Sequence, residues 1–126
     1  MGKDGIQLVL DRLAHGRAVL IFAEGERTHT GEVQPLKPGI SLLIKRVNCP
    51  IVPVGIAGAF AAWNRFLKIP RLSPLFLPPE PSAIAVSVGK AIDPVRYKNC
   101  DRDEMLTDLR REIVAQVAVA ESRRRK

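Results

Sequence analysis

The sequence has little of what metal sites, disulfide frameworks and membrane spans require. Its 126 residues include two cysteines, Cys49 and Cys100, which lie far apart and in no metal-ligand spacing. We therefore expect neither a structural metal nor a disulfide, and a reducing, cytoplasmic setting. The most apolar stretch, residues 40–63, is interrupted by charged residues and prolines, whereas a spanning helix needs about 20 mainly apolar residues in a row. A single domain over residues 1–126 is the expected organisation.

Aromatic residues and clustered positive charge outside the C-terminus are also scarce. Aromatic residues make up 5% of the chain, and no glycine-rich nucleotide loop occurs. The formal net charge is +7, but four of these charges come from residues 123–126. A nucleic-acid reader needs a basic stripe, so we expect no nucleic-acid partner. The basic end is either a solvated tail or a contact for anionic lipid head groups.

Apolar segments of two kinds are present. Three- and four-residue spacing predicts helices over residues 4–14 and 38–47. Continuous apolar runs predict buried strands at residues 17–22 and 51–56, and alternation predicts a third strand at residues 83–88. The order strand, helix, strand favours a right-handed parallel crossover. We therefore expect an α/β fold with a small, mostly parallel sheet flanked by helices.

The C-terminal half contains three further segments. Residues 58–82 form a proline-rich loop with many large apolar side chains. Such a loop is typical either of a partner or membrane contact, or of side chains that fold back over the core. Residues 101–121 have helical periodicity, with Asp101 and Glu104 at capping-box spacing. Residues 122–126 form the basic tail.

The candidate site follows the first predicted strand. Residues 22–28 read Phe-Ala-Glu-Gly-Glu-Arg-Thr, which predicts a sharp turn at Gly25 with Arg27 displayed beside it. A guanidinium is a planar fork of donors that suits a phosphate or a carboxylate. The ends of strands in open α/β sheets are also where ligands usually bind. The alternative is that Glu24 and Arg27 simply pair with each other and pin the loop.

Three motifs in this order resemble the PlsC-like phospholipid and glycerol-phosphate acyltransferase family. The family pattern Phe-Pro-Glu-Gly-Thr-Arg-Ser is similar to residues 22–28, although Ala23 replaces the proline and Glu26 replaces the threonine. The Phe-Lys-x-Gly pattern is similar to residues 36–39, and the Val-Pro-Val pattern to residues 52–54.

The resemblance covers residues from about 4 to 97 and implies an acyltransferase of phospholipid biosynthesis. Such an enzyme moves a fatty acyl group from acyl-CoA or acyl-ACP to a hydroxyl of a lysophospholipid or glycerol-phosphate acceptor. It implies no cofactor besides the thioester donor, and peripheral contact with the inner face of the membrane. The substrate-binding residues that it implies are Glu24, Gly25, Glu26, Arg27, Thr28 and Lys37.

The family's catalytic motif, His-x4-Asp, does not occur in the sequence. Leu20 stands five positions after His15, and Gln34 stands five positions after His29. We therefore assign no catalytic residue and no metal ligand. The chain is expected to correspond to the C-terminal part of the family's domain and to be inactive alone. The alternative is a non-catalytic domain that binds anionic lipid or phosphate through the basic side chains of the motifs and the tail.

Overall fold

The computed structural model describes residues 2–63, 66, 68–69 and 83–124 of the chain. Two helices come first, then two strands separated by a short helix, then a 3₁₀ turn at Pro94–Tyr97 and a long C-terminal helix. The elements are α1 (Lys3–Ala14), α2 (Gly39–Ile44), β1 (Val54–Ala57), α3 (Ala59–Ala62), β2 (Ala85–Val88) and α4 (Arg102–Arg124). The fold is therefore mixed α/β.

The predicted helices are present with altered ends. α1 forms where apolar spacing predicted it, and it buries Ile6 against Leu43 and Val47. α2 is shorter than predicted and ends at Ile44. α4 continues three residues beyond the predicted end, so the first part of the basic tail is helical, while residues 125–126 lie outside the described part. Most of the proline-rich loop at residues 58–82 also lies outside it.

The sheet is antiparallel, so the prediction of a mostly parallel sheet is wrong. β1 and β2 pair with Val54 opposite Val88 and Ala57 opposite Ala85. An isolated antiparallel bridge joins Ile51 to Ile92 beyond the end of this ladder. The described residues contain this one sheet, with two strands.

The error traces to residues 17–22, where a buried strand was predicted. Within the described part of the chain these residues join no ladder, and the side chains of Leu20 and Phe22 are 72% and 67% exposed. A continuous apolar run indicates a preference for burial, but it does not specify a pairing partner. Without a strand at residues 17–22, the predicted parallel crossover lacks its first strand.

Helix α4 covers one face of the sheet at unusually short range. A Cβ built on Gly55 would lie 2.2 Å from the backbone of Gln116 and Val117, so only glycine fits this contact. Buried Ser87, on β2, donates a hydrogen bond to Gln116 Oε1 at 2.8 Å. Small residues thus allow the helix to lie against the strands. The opposite face carries large, exposed apolar side chains, namely Ile56, Val86 and Val88.

The main core lies between α2, the 3₁₀ turn and α4. Its buried residues are Leu36, Ile40, Ile44, Ile92, Tyr97, Met105 and Leu109. Because Leu36 is one of them, its neighbour Lys37 is anchored at the edge of the core. A second tie comes from α4, where Arg110 Nη2 donates to the carbonyl oxygen of Val33 at 2.6 Å. The core and α4 together position the segment that carries the predicted site.

Candidate functional site

The predicted site residues lie on one segment, residues 22–37, which we name the motif loop. The Gly25 N–H donates to the Phe22 carbonyl at 3.0 Å, and the Lys37 N–H donates to the Ala23 carbonyl at 2.9 Å. Gly25 has φ of +74°, in the left-handed region that favours glycine. These two bonds bring the end of the motif loop back to its beginning, so residues that are far apart in sequence meet beside Gly25.

The side chain of Lys37 lies across Gly25. A Cβ on Gly25 would be 3.0 Å from Lys37 Cγ and 3.1 Å from Lys37 Cε, so the missing methyl group leaves room for the lysine stem. The stem delivers Lys37 Nζ to within 3.3 Å of Glu26 Oε1. The same carboxylate has its Oε2 at 3.6 Å from His29 Nε2. Glu26 therefore stands between a lysine and a histidine.

This arrangement keeps Glu26 ionised. The hydrogen bond from Lys37 and then its charge, with a smaller contribution from His29, lower the pKa of Glu26 below its ordinary value. All three side chains are about half exposed. The negative charge of Glu26 is thus present at neutral pH and accessible to solvent.

Glu24 and Thr28 hold the motif loop in shape. Glu24 Oε2 accepts the Gln34 N–H at 2.6 Å. Thr28 Oγ1 accepts the Gly31 N–H at 3.0 Å and donates to the Glu32 carbonyl at 2.8 Å. The alternative in which Glu24 pairs with Arg27 is not what the structure has: the side chain of Glu24 binds backbone across the loop.

Arg27 is placed differently from the other basic residue of the loop. Its guanidinium carbon lies 5.3 Å from the centroid of the Trp63 ring, a cation–π arrangement. The side chain is exposed, and within the described residues no carboxylate lies within 4.0 Å of it. Its donors are therefore accessible to an anion from solution.

The structure brings together some of the predicted site residues and separates others. Gly25, Glu26 and Lys37 are in direct contact, whereas Arg27 contacts Trp63. Sequence reasoning missed Gln34, whose side-chain amide bridges three acceptors in the loop. It also missed the stacking of Trp63 on Arg27. The sequence offered one signal for this contact, namely the large apolar and aromatic side chains of the proline-rich loop at residues 58–82.

A cluster on α4 and the 3₁₀ turn forms a separate polar region. A cavity of about 600 Å³ there is lined by Tyr97, Cys100 and Asp108, among others, and by no residue of the motif loop. Asp108 accepts the Tyr97 hydroxyl at 2.9 Å, lies 2.7 Å from Arg96 and also pairs with Arg111. Burial and then this hydrogen bond raise the pKa of Tyr97 to about 12. These contacts hold the 3₁₀ turn against α4, so we assign this region a structural role.

Neither a metal-binding group nor a membrane-spanning helix is found in the described part of the chain. No three His, Cys, Asp or Glu side chains there are close enough to hold a metal ion. The described helices are all too short or too polar to cross a bilayer.

Comparison with known proteins finds a family model that matches the part of the chain that carries the motif loop. The family model described as acyltransferase matches residues 2–57, which include α1, the motif loop and β1. This match supports the resemblance of residues 2–57 to the PlsC-like acyltransferase family. The resemblance inferred from the three motifs is thereby confirmed.

A curated relative agrees with this assignment over a short stretch. A 1-acyl-sn-glycerol-3-phosphate acyltransferase from Cocos nucifera is 35% identical over 48 residues. The match covers 38% of this chain and 16% of that relative, so the chain matches only a small part of the relative's length. No solved structure matches the chain. Both matches point to the same group of proteins, the acyltransferases.

Proposed function

We propose that this acyltransferase-family chain supplies the part of an acyl-transfer site that holds the acceptor. The acceptor is a lysophospholipid or a glycerol phosphate, and the acyl group comes from acyl-CoA or acyl-ACP. The observation that carries the proposal is Arg27, which is exposed, stacked on Trp63 and without a described carboxylate partner. An exposed guanidinium that is not paired with a carboxylate can donate its hydrogen bonds to a phosphate.

The residues that match the family pattern have distinct roles in this proposal. Arg27 binds the acceptor phosphate, and Lys37 adds a second positive charge whose position is set by Gly25. Glu24 and Thr28 act indirectly, by closing the loop through backbone hydrogen bonds. Acyl transfer also needs a general base and donors for the developing oxyanion. The sequence has no His-x4-Asp motif to supply the base, so the chain alone transfers no acyl group.

The acceptor's location suggests where the chain works. A lysophospholipid is held in a membrane, and Trp63, which stacks on Arg27, is 48% exposed. Phe66 and Ile69, which follow in the sequence, are 78% and 75% exposed. Tryptophan favours the membrane–water boundary because its ring is apolar and its N–H is polar. We therefore place the chain in the cytoplasm, in peripheral contact with the inner face of the membrane.

Titration of the purified chain with sn-glycerol 3-phosphate, followed by two-dimensional NMR, tests the acceptor role. The Gly25 amide and the Arg27 side-chain signals should shift and saturate. In Arg27→Ala the affinity should fall about tenfold, the loss of one charge-assisted contact. Arg46→Ala, which removes an exposed arginine outside the motif loop, is the matched control. Equal affinities for wild type and Arg27→Ala would refute the proposal.

The second candidate is a non-catalytic domain that binds anionic lipid or phosphate. This candidate is favoured because both histidines of the chain, the residue type that acts as general base in the family, already have contacts within it. His15 contacts the backbone carbonyl of Asp11 at 2.8 Å, and His29 lies beside the Glu26–Lys37 pair. An acyl-transfer assay with acyl-CoA and lysophosphatidate separates the two candidates. The chain is tested alone and together with a separate acyltransferase segment that contains the His-x4-Asp motif. Binding without transfer under every condition would favour the second candidate. Transfer by the chain alone, lost in His29→Ala, would identify His29 as a base.

A further inference from the structure

The structure gives Glu26 a position that bears on the choice of acceptor. Glu26 replaces the threonine of the family pattern, and its carboxylate is the group that contacts Lys37 Nζ, at 3.3 Å. Any anion that binds Lys37 must therefore approach a carboxylate that is already there. This residue is the clearest departure of the chain from the family within the proposed site.

Lys37 has little freedom to avoid Glu26. Its stem lies over Gly25 with carbon contacts near 3 Å from the ideal Cβ position, and its backbone N–H is bonded to Ala23. The lysine charge is thus kept on the same side of the loop as the Glu26 carboxylate. Displacing Glu26 from Lys37 would break this ion pair and leave Glu26 with its contact to His29.

The charge balance of the loop is unfavourable for a doubly charged ligand. Residues 22–37 contain three carboxylates, Glu24, Glu26 and Glu32, against two permanent cations, Arg27 and Lys37. A phosphate monoester carries a charge of about −1.5 to −2 at pH 7, whereas a phosphodiester carries a single charge. Two unit charges about 4 Å apart repel measurably even in high-dielectric surroundings.

The same carboxylate is well placed to attract a cation. The side chain of Glu26 is 47% exposed, and its ionised form is stabilised by Lys37 and His29. A head group with a phosphodiester and an ammonium can place the phosphate on Arg27 and the ammonium on Glu26. The phosphate of a monoester is repelled by Glu26, and its head group has no ammonium to offset this repulsion.

We infer that Glu26 makes the site selective for acceptors whose head group combines a phosphodiester with an ammonium group, over acceptors that carry a phosphate monoester. The inference rests on the proposed function, because it assumes that Arg27 holds the acceptor phosphate. It deepens that function by naming the class of acceptor.

Paired NMR titrations with two soluble head groups test the inference. Wild-type chain should bind sn-glycero-3-phosphoethanolamine more tightly than sn-glycerol 3-phosphate. In Glu26→Gln and Glu26→Thr the affinity for sn-glycerol 3-phosphate should rise about tenfold, and that for the ethanolamine ester should fall, so the preference reverses. Because Glu26 lies in a loop closed by other residues, neither variant should alter the fold.

Glu32→Gln is the matched control, because it removes a carboxylate from the same loop without touching Lys37. It should leave the ratio of the two affinities unchanged. A ratio that moves equally in Glu32→Gln and Glu26→Gln would mean that overall charge, and not Glu26, decides the preference, which overturns the inference.

The remaining outcomes separate this inference from the function on which it rests. If Arg27→Ala weakens binding of both head groups but Glu26→Gln leaves their ratio unchanged, the inference fails and the proposed function stands. If Arg27→Ala leaves both affinities unchanged, or if wild type binds neither head group, both fail.

Discussion

Two arginines of this chain lie over aromatic rings, and their surroundings differ. Arg96 lies 5.6 Å from the centroid of Tyr97 and is also paired with Asp108 at 2.7 Å and Glu112 at 3.5 Å. Arg27 lies at a similar distance, 5.3 Å, over Trp63, but no carboxylate of the described residues neutralises it. The first arginine is committed to holding α4 against the 3₁₀ turn. The second is accessible to a ligand.

The difference extends to the regions around them. The α4 region is stabilised by burial and by contacts between distant parts of the chain, such as Gly55 with Gln116. The motif loop is stabilised by short-range hydrogen bonds among exposed polar groups. Substitutions in the α4 region should therefore change stability, and those in the motif loop should change binding.

The largest effect is expected for Gly55→Ala. The new Cβ would lie 2.2 Å from the backbone of α4, so the helix and the strand must separate. We expect a loss of about 3 kcal/mol or more in the free energy of unfolding. Urea denaturation followed by circular dichroism measures it. Gly2→Ala is the control, since nothing lies within 4 Å of its added Cβ. Equal stability of the two variants would refute the close contact.

A smaller effect with a distinct pH dependence is expected for Tyr97→Phe. The substitution removes a hydrogen bond from a buried hydroxyl to Asp108 and should cost about 1–2 kcal/mol at neutral pH. The pKa of Tyr97 is raised to about 12 in the folded chain, against about 10 in an unfolded one. The folded state therefore holds the phenolic proton more tightly.

The sign of the pH dependence follows from this difference. The contribution of Tyr97 is fully present below about pH 10 and is lost as the pH rises from about 10 to about 12. The stability difference between wild type and Tyr97→Phe should shrink over this interval in urea denaturation experiments. A difference that stays constant or grows with pH would contradict the Tyr97–Asp108 contact.

In the motif loop, Thr28→Val should have a moderate effect. The substitution keeps the shape of the side chain but removes a hydroxyl that accepts the Gly31 N–H and donates to the Glu32 carbonyl. We expect a loss of about 1 kcal/mol in stability. We also expect weaker binding of sn-glycerol 3-phosphate, because the loop that presents Arg27 loosens. Thr107→Val on the exposed side of α4 is the matched control; if it is as costly as Thr28→Val, the loop hydrogen bonds are not responsible.

The smallest effect on stability is expected for Arg27→Ala, and it sharpens the comparison of the two arginines. An exposed cation–π contact contributes about 0.5–1 kcal/mol, so the free energy of unfolding should change by no more than this. Arg96→Ala should cost more, because it also removes the ion pairs of Arg96 with Asp108 and Glu112. Thermal unfolding of both variants measures the difference. A larger loss in Arg27→Ala would assign Arg27 a structural role instead.

The sequence predicted those features that depend on local spacing. α1 and α4 were predicted because their apolar residues recur every three or four positions, and β2 because its residues alternate. The strand predicted at residues 17–22 is absent, because an apolar run indicates burial, whereas a ladder requires a partner elsewhere in the chain. The antiparallel pairing of β1 with β2 is likewise a contact between distant segments.

The candidate site divides in the same way. The motif pattern pointed to Gly25, Glu26 and Lys37, and the structure shows these residues in contact. The stacking of Trp63 on Arg27 joins residues 36 positions apart, and spacing carries no signal of it. Gln34 was missed because a glutamine in a polar loop has no distinctive pattern, although it bonds to Thr28 and Thr30.

The contact between Lys37 and Gly25 has an entropic consequence. A free lysine side chain samples many rotamers, and fixing them can cost up to about 2 kcal/mol. In this chain the lysine stem already rests on a glycine that lacks a side chain of its own, so part of that loss occurs during folding. Recruiting the ammonium group to a ligand then requires less ordering than it would from an unsupported lysine. Any larger residue at position 25 would remove this advantage while leaving the charge intact.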